Sequence, residues 1–162
     1  MSEQKKYNTI EESINDLLNG ENQKNARDWV IFLRANEFAL VWNPKDKQLR
    51  IDYKDRIVSC SYVDVGGADI IINFCTLDFD DGRPVSDDLK EFTLSHVVVC
   101  PQGCDAHAIC EKSQKSIKIF GQEYENICIS PLQIINPDAK DFEYAKKMIL
   151  MVKQKRNDRL PQ

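Results

Sequence analysis

The chain has 162 residues, 42% hydrophobic and 30% charged, with a formal net charge of -4. That profile places it among single globular domains, which bury roughly 70% of their unfolded surface without disulfide or metal staples. No apolar run approaches the ~18 residues of a membrane span, and the acidic balance disfavours nucleic acid as the main partner.

The opening residues MSEQKKYNTIEE carry no apolar h-region and no small-residue cleavage site, so the expectation is one domain over residues 1–162 in a reducing cytoplasm. Two helices are predicted first. Thr9 with Glu12 three residues later forms a capping box, Ile10, Ile14, Leu17 and Leu18 make one stripe, and Gly20 closes the helix. A second helix over residues 23–35 follows, in which Ala26, Trp29, Val30 and Leu33 share a face.

The period then changes to two. Residues 38–42 are apolar, Asn43-Pro44-Lys45-Asp46-Lys47 is a turn, and Leu49, Ile51 and Tyr53 alternate with Arg50, Asp52 and Lys54. Further strands over residues 57–64 and 70–75 flank Gly66-Gly67, whose permissive φ angles suit a tight reversal. The expectation is a four-stranded antiparallel meander, with Cys60 and Cys75 as small apolar fillers.

The acidic loop TLDFDDGRPVSDD invites a calcium reading that fails on spacing. An EF-hand loop counted from Asp78 needs glycine at its sixth position and glutamate at its twelfth, whereas here Gly82 is fifth and Leu89 is twelfth. The loop reads instead as a turn with Ser86 capping a middle helix, on which Leu89, Phe92 and His96 lie toward one side. Beyond it, Ile117 and Ile119 are expected to start a hairpin that turns near Gly121 and returns through Ile127 and Ile129. The last helix is capped by Asn136 and opened by Pro137, with Phe142, Ala145, Ile149 and Val152 as its apolar stripe and a frayed tail over 156–162. Six basic residues and one acid between Lys146 and Arg159 read as a solvated helix end whose cations suit the helix dipole.

The chemically distinctive stretch is VVVCPQGCDAHAIC, within a cysteine-rich subdomain over about 97–130. Cys100, Cys104, Cys110 and Cys128 fall within 29 residues, with His107 available to replace Cys110 or Cys128. Tetrahedral zinc takes four such ligands converging at about 2.3 Å, commonly from a turn and a later strand. The spacing C-x3-C-x5-C-x17-C is not the common C-x2-C knuckle, however, so inert buried thiols and a reactive thiol stay beside zinc as readings. In the reactive reading, His107 three residues after Cys104 lowers that thiol's pKa.

The order of elements, with the segments LKEFTLSHVVVC, IKIFGQEYENIC and NPDAKDFEYAKKMI, resembles a group of short proteins from clostridial and related gut bacteria that carry no assigned activity. The likeness covers residues 85–155 best, and the residues matching it most directly are Cys100, Cys104, Cys110, Gly121 and Cys128. It implies a bacterial cytoplasmic protein and supplies no catalytic residue. The sequence therefore reads as an α+β domain: an antiparallel meander with N-terminal helices, a middle helix, a cysteine-rich segment and a C-terminal helix. Its expected role is a non-enzymatic binding or regulatory module for a small molecule or protein, with zinc as candidate cofactor. The second reading is a small enzyme using metal-bound water or a thiol of the Cys100 to Cys128 region.

Overall fold

In the computed structural model, which describes residues 8–75, 83–99, 116–125 and 127–159, Thr9 caps helix α1 (Ile10–Leu17), its Oγ1 accepting from the Glu12 N–H at 3.2 Å. The Glu12 carboxylate accepts in return from the Asn8 N–H at 2.9 Å, so the helix start is bonded from both directions. Gly20 does not close α1. It opens helix α2 (Gly20–Ala35) at φ +54°, a left-handed backbone that glycine adopts without strain, and α2 begins three residues earlier than its apolar stripe suggests.

The meander forms as expected from β1 (Ala39–Asn43), β2 (Gln48–Tyr53), β3 (Arg56–Val65) and β4 (Ala68–Phe74), all antiparallel. Val65 pairs with Ala68 across Gly66 and Gly67, both at positive φ, which is the two-residue turn that follows the twist of the strands. After helix α3 (Asp87–Ser95) the chain adds β5 (Val97–Val99), β6 (Ile117–Ile119), β7 (Gln122–Tyr124), β8 (Ile127–Ile135) and helix α4 (Ala139–Arg159). The sheet is six-stranded in the order β1-β2-β3-β4-β8-β5, beside a separate β6-β7 ribbon.

Two sequence expectations are corrected here. Ile117 and Ile119 pair with β7 across Phe120 and Gly121, not with the strand containing Ile127; β8 crosses to the main sheet and pairs with β4 and β5 instead. A two-residue turn with positive φ at both positions closes a hairpin on the next three residues, leaving the longer apolar strand free to seek a larger sheet. The cap of α4 is Asp138 rather than Asn136: Asp138 Oδ1 accepts from the Asp141 N–H at 2.8 Å, and Asp141 Oδ2 accepts from the Asp138 N–H at 3.1 Å. Asn136 turns the other way, its Oδ1 accepting from the N–H groups of Asp69 and Ile70 to tie the end of β8 to the start of β4.

The helices cover one face of the sheet. Leu49, Ile51, Ile72, Phe74, Leu132 and Ile134 pack there in a continuous core with Ile14, Trp29, Leu33, Phe142 and Ile149. Trp29 Nε1 donates to Ser61 Oγ at 3.1 Å, which satisfies both buried groups and fixes α2 against β3. Helix α3 reaches α4 through Phe92, whose ring lies 4.5 Å from that of Tyr144. The end of α4 grips the β2–β3 turn: Tyr53 Oη donates to Asn157 Oδ1 at 2.7 Å, and Arg156 donates to the carbonyls of Tyr53, Arg56 and Ile57 at 3.0–3.1 Å. Residues 156–159, expected to fray, are therefore helical and bonded.

Candidate functional site

Cross-strand partners share a face, so the register defines what lies on the side of the sheet away from the helices. One row runs Val41, Arg50, Cys60, Asn73, Gln133, and the next runs Asn43, Gln48, Tyr62, Ile71, Ile135. None of these residues belongs to the helix-covered core. Polar groups on this face bond one another, Gln48 Nε2 to Tyr62 Oη at 2.6 Å and Gln133 Nε2 to Asn73 Oδ1 at 3.0 Å across strands, and Arg50 Nε to Asp52 Oδ1 at 3.0 Å along β2. Exposed aliphatics stand around them, with Val41 at 43%, Ile57 at 45% and Ile135 at 56% exposure.

Two thiols meet on this face. Cys60 lies opposite Asn73, and Cys75, two residues beyond Asn73, is its diagonal neighbour on the same side. The β2–β3 register shifts between Ile51 and Asp52, so that Val58 turns into the core while Cys60 stays outside it. The Cys75 N–H donates to the Val58 carbonyl at 3.3 Å, and Arg156 donates to the adjacent Ile57 carbonyl, which brings a guanidinium to the end of β4. Cys75 is exposed, whereas Cys60 is buried.

Four groups with displaced proton affinities gather here. Cys60 and Cys75 hydrogen-bond each other, and that bond is the main cause of the upward shift of Cys60, reinforced by burial. The same bond pulls Cys75 down; burial opposes it, Arg156 adds to it, and Asp52 works against it. Chemically, Cys75 is the thiol of the pair that gives up its proton more readily, and Cys60 is the one that keeps its own. Burial raises Tyr62 and lowers Arg156. The assignment of Cys60 and Cys75 as plain fillers is thus incomplete. Parity along β3 and β4 places Cys60, Tyr62, Asn73 and Cys75 on one side, and that was the sequence signal for the cluster.

Of the sequence-predicted metal ligands, only Cys128 lies within the described residues. Cys100, Cys104, Cys110 and His107 lie outside the described residues, and Cys128 falls on β8 of the six-stranded sheet. The expected β6–β8 hairpin that would have carried Cys128 to the other cysteines does not form. Among the described residues, no three His, Cys, Asp or Glu side chains converge as metal ligands. The other histidine, His96, ends α3, with its Nδ1 2.7 Å from the Phe92 carbonyl and its ring 4.2 Å from that of Phe92.

A second feature has the shape of a ligand seat. Between the approach to α3 and the outer side of α4 lies a cleft of about 440 Å³, walled by Val85, Leu89, Leu150 and Met151 and edged by Lys147 and Gln154. Arg83 also lines it and forms an ion pair with Asp158. Ser86 Oγ accepts from the Leu89 N–H at 3.4 Å and sets the start of α3 at the cleft wall. No described helix is long and apolar enough to cross a membrane. Compared with family models, curated proteins and solved structures, the chain shows no significant match.

Proposed function

We propose that the protein is a non-enzymatic binding module that seats a small molecule with an apolar body in the cleft between α3 and α4. The observation that carries this reading is the cleft itself: about 440 Å³, with apolar walls and a few polar groups at its edge. Small-molecule sites typically have roughly 300–1,000 Å³ and the same division of labour, apolar walls for affinity and sparse polar groups for orientation. Lys147 and Gln154 supply the orienting contacts, which suits a ligand with one acceptor group.

The test uses 1-anilinonaphthalene-8-sulfonate, an apolar body with one anionic group. Saturable one-site binding that weakens at least ~10-fold in Leu150→Glu, a substitution at a partly exposed wall residue, supports the reading; a tenfold loss is about 1.4 kcal/mol. Dye fluorescence that never saturates, or saturable binding untouched by the substitution, rejects it.

Zinc held by Cys100, Cys104, Cys110 and Cys128 is a separate proposal that rests on their spacing in the sequence. Protein purified without added zinc should then carry near one equivalent, and a chelator should lower its melting temperature. Metal-free protein with a melting temperature indifferent to chelator rejects zinc without bearing on the cleft.

A further inference from the structure

We propose that Cys75 and Cys60 form a reversible thiol–disulfide switch oxidised by hydroperoxides, with Cys75 as the attacked thiol and Cys60 as the resolving thiol. The proposal is independent of the ligand cleft. It rests on three features of the sheet's outer face: an exposed cysteine, a buried cysteine diagonal to it in the β3–β4 register, and a guanidinium at the same strand end. Oxidant-sensing thiols combine accessibility, thiolate character and a resolving partner within reach, and here those properties are divided between two residues.

The steps balance. The Cys75 thiolate attacks one oxygen of the hydroperoxide; the S–O bond forms, the O–O bond breaks, and the alkoxide leaves and is protonated by water to an alcohol. Cys75 is now a sulfenic acid. The Cys60 sulfur then attacks the Cys75 sulfur, the S–S bond forms, the S–O bond breaks, and hydroxide leaves with the Cys60 proton as water. Overall, two thiols and one hydroperoxide become a disulfide, an alcohol and water. A small-molecule dithiol reverses the change by thiol–disulfide exchange.

Position on the strand makes the closure feasible. Diagonal cross-strand residues have Cα atoms roughly 7–8 Å apart, slightly beyond the roughly 4.4–6.8 Å that disulfides span. Cys75 stands one residue past the end of β4, and Val58 opposite it occupies the β3 irregularity. A small shift of Cys75 therefore completes the bond while the paired part of the ladder stays in place. A disulfide closed this way is strained, and strained disulfides are the readily reduced, regulatory kind.

The experiment treats the reduced full-length protein with stoichiometric hydrogen peroxide, quenches with iodoacetamide, and maps linked peptides by mass spectrometry. The expected result is a Cys60–Cys75 cross-linked peptide that dithiothreitol removes. In Cys60→Ala and Cys60→Ser, which remove the proposed resolving thiol, Cys75 should instead be trapped by dimedone as the sulfenic acid. Folding of either variant is read from its far-ultraviolet circular dichroism, and the wild-type map stands without them. Absence of the Cys60–Cys75 peptide, or its replacement by a link from Cys75 to another cysteine, overturns the proposal.

Discussion

The two faces of the central sheet are made of alternate residues of the same strands, and they use those residues in opposite ways. On the helix-covered face, Leu49, Ile51, Ile72 and Ile134 are essentially fully buried and contribute by excluding water. On the other face, the same positions shifted by one residue carry Arg50, Cys60, Asn73 and Gln133, whose polar groups find partners on that face: Gln133 on Asn73, Arg50 on Asp52 and Cys60 on Cys75. Alternation therefore sorts more than hydrophobicity: it separates the residues that hold the fold from those with chemistry to spare. A change on the covered face should appear in stability, and a change on the outer face should appear in reactivity.

The largest effect that would sharpen this contrast is expected from Ile72→Ala, which empties a fully buried position at the centre of the sheet. Deletions of this kind cost about 2–5 kcal/mol, so urea denaturation should show a large fall in midpoint. A loss under about 1 kcal/mol, below that range, would mean that the covered face is not the main source of stability. Arg156→Ala comes next. It removes three bonds to the carbonyls of Tyr53, Arg56 and Ile57 at a partly exposed site, for an expected loss of about 1–2 kcal/mol by the same measurement.

Arg156→Ala also joins the two faces, because the guanidinium helps hold Cys75 below the ordinary thiol range together with the Cys60 hydrogen bond, while burial and Asp52 oppose it. A lowered pKa means that the thiolate persists as pH falls, so Cys75 alkylation in the wild type should stay fast at pH values where a free thiol, pKa about 8.5, has slowed. The variant's rate–pH profile should move upward toward the free thiol, and coincident profiles would remove Arg156 from the account. The smallest expected change has the opposite sign. Ser13 Oγ is buried with no hydrogen-bond partner among the described residues, so Ser13→Ala should be neutral or stabilise by up to about 1 kcal/mol. A clear loss of stability would reveal a bond to that hydroxyl.

Local chemistry made much of this fold legible. The Thr9 and Ser86 caps, the Gly66-Gly67 turn and the α4 stripe are set by neighbours within a few residues, and each forms where the sequence places it. Strand partnership was less legible. Nothing near Ile127 says that its strand will pair with β4, more than 50 residues earlier, because that choice depends on which sheet edge is available. Asn136 shows the same limit at the level of one side chain. It has the composition of a helix cap, but its bonds go to Asp69 and Ile70 on a distant strand.

The sulfur chemistry divides along that line as well. Cysteine density drew attention to residues 100–110, which lie outside the described residues. Cys60 and Cys75, fifteen positions apart and each the only cysteine of its strand segment, look unremarkable as sequence. Their parity was readable; their contact depends on the irregularity at Val58 and on the exact β3–β4 register, neither of which a periodic pattern encodes.

A site-resolved iodoacetamide pulse on the reduced, folded protein tests the division of roles between these thiols most directly. Cys75 should label at least about tenfold faster than Cys60, as expected for an exposed, more readily ionised thiol beside a shielded one, and denaturant should bring the two rates together. Equal labelling in the folded state, or faster labelling of Cys60, would contradict the account.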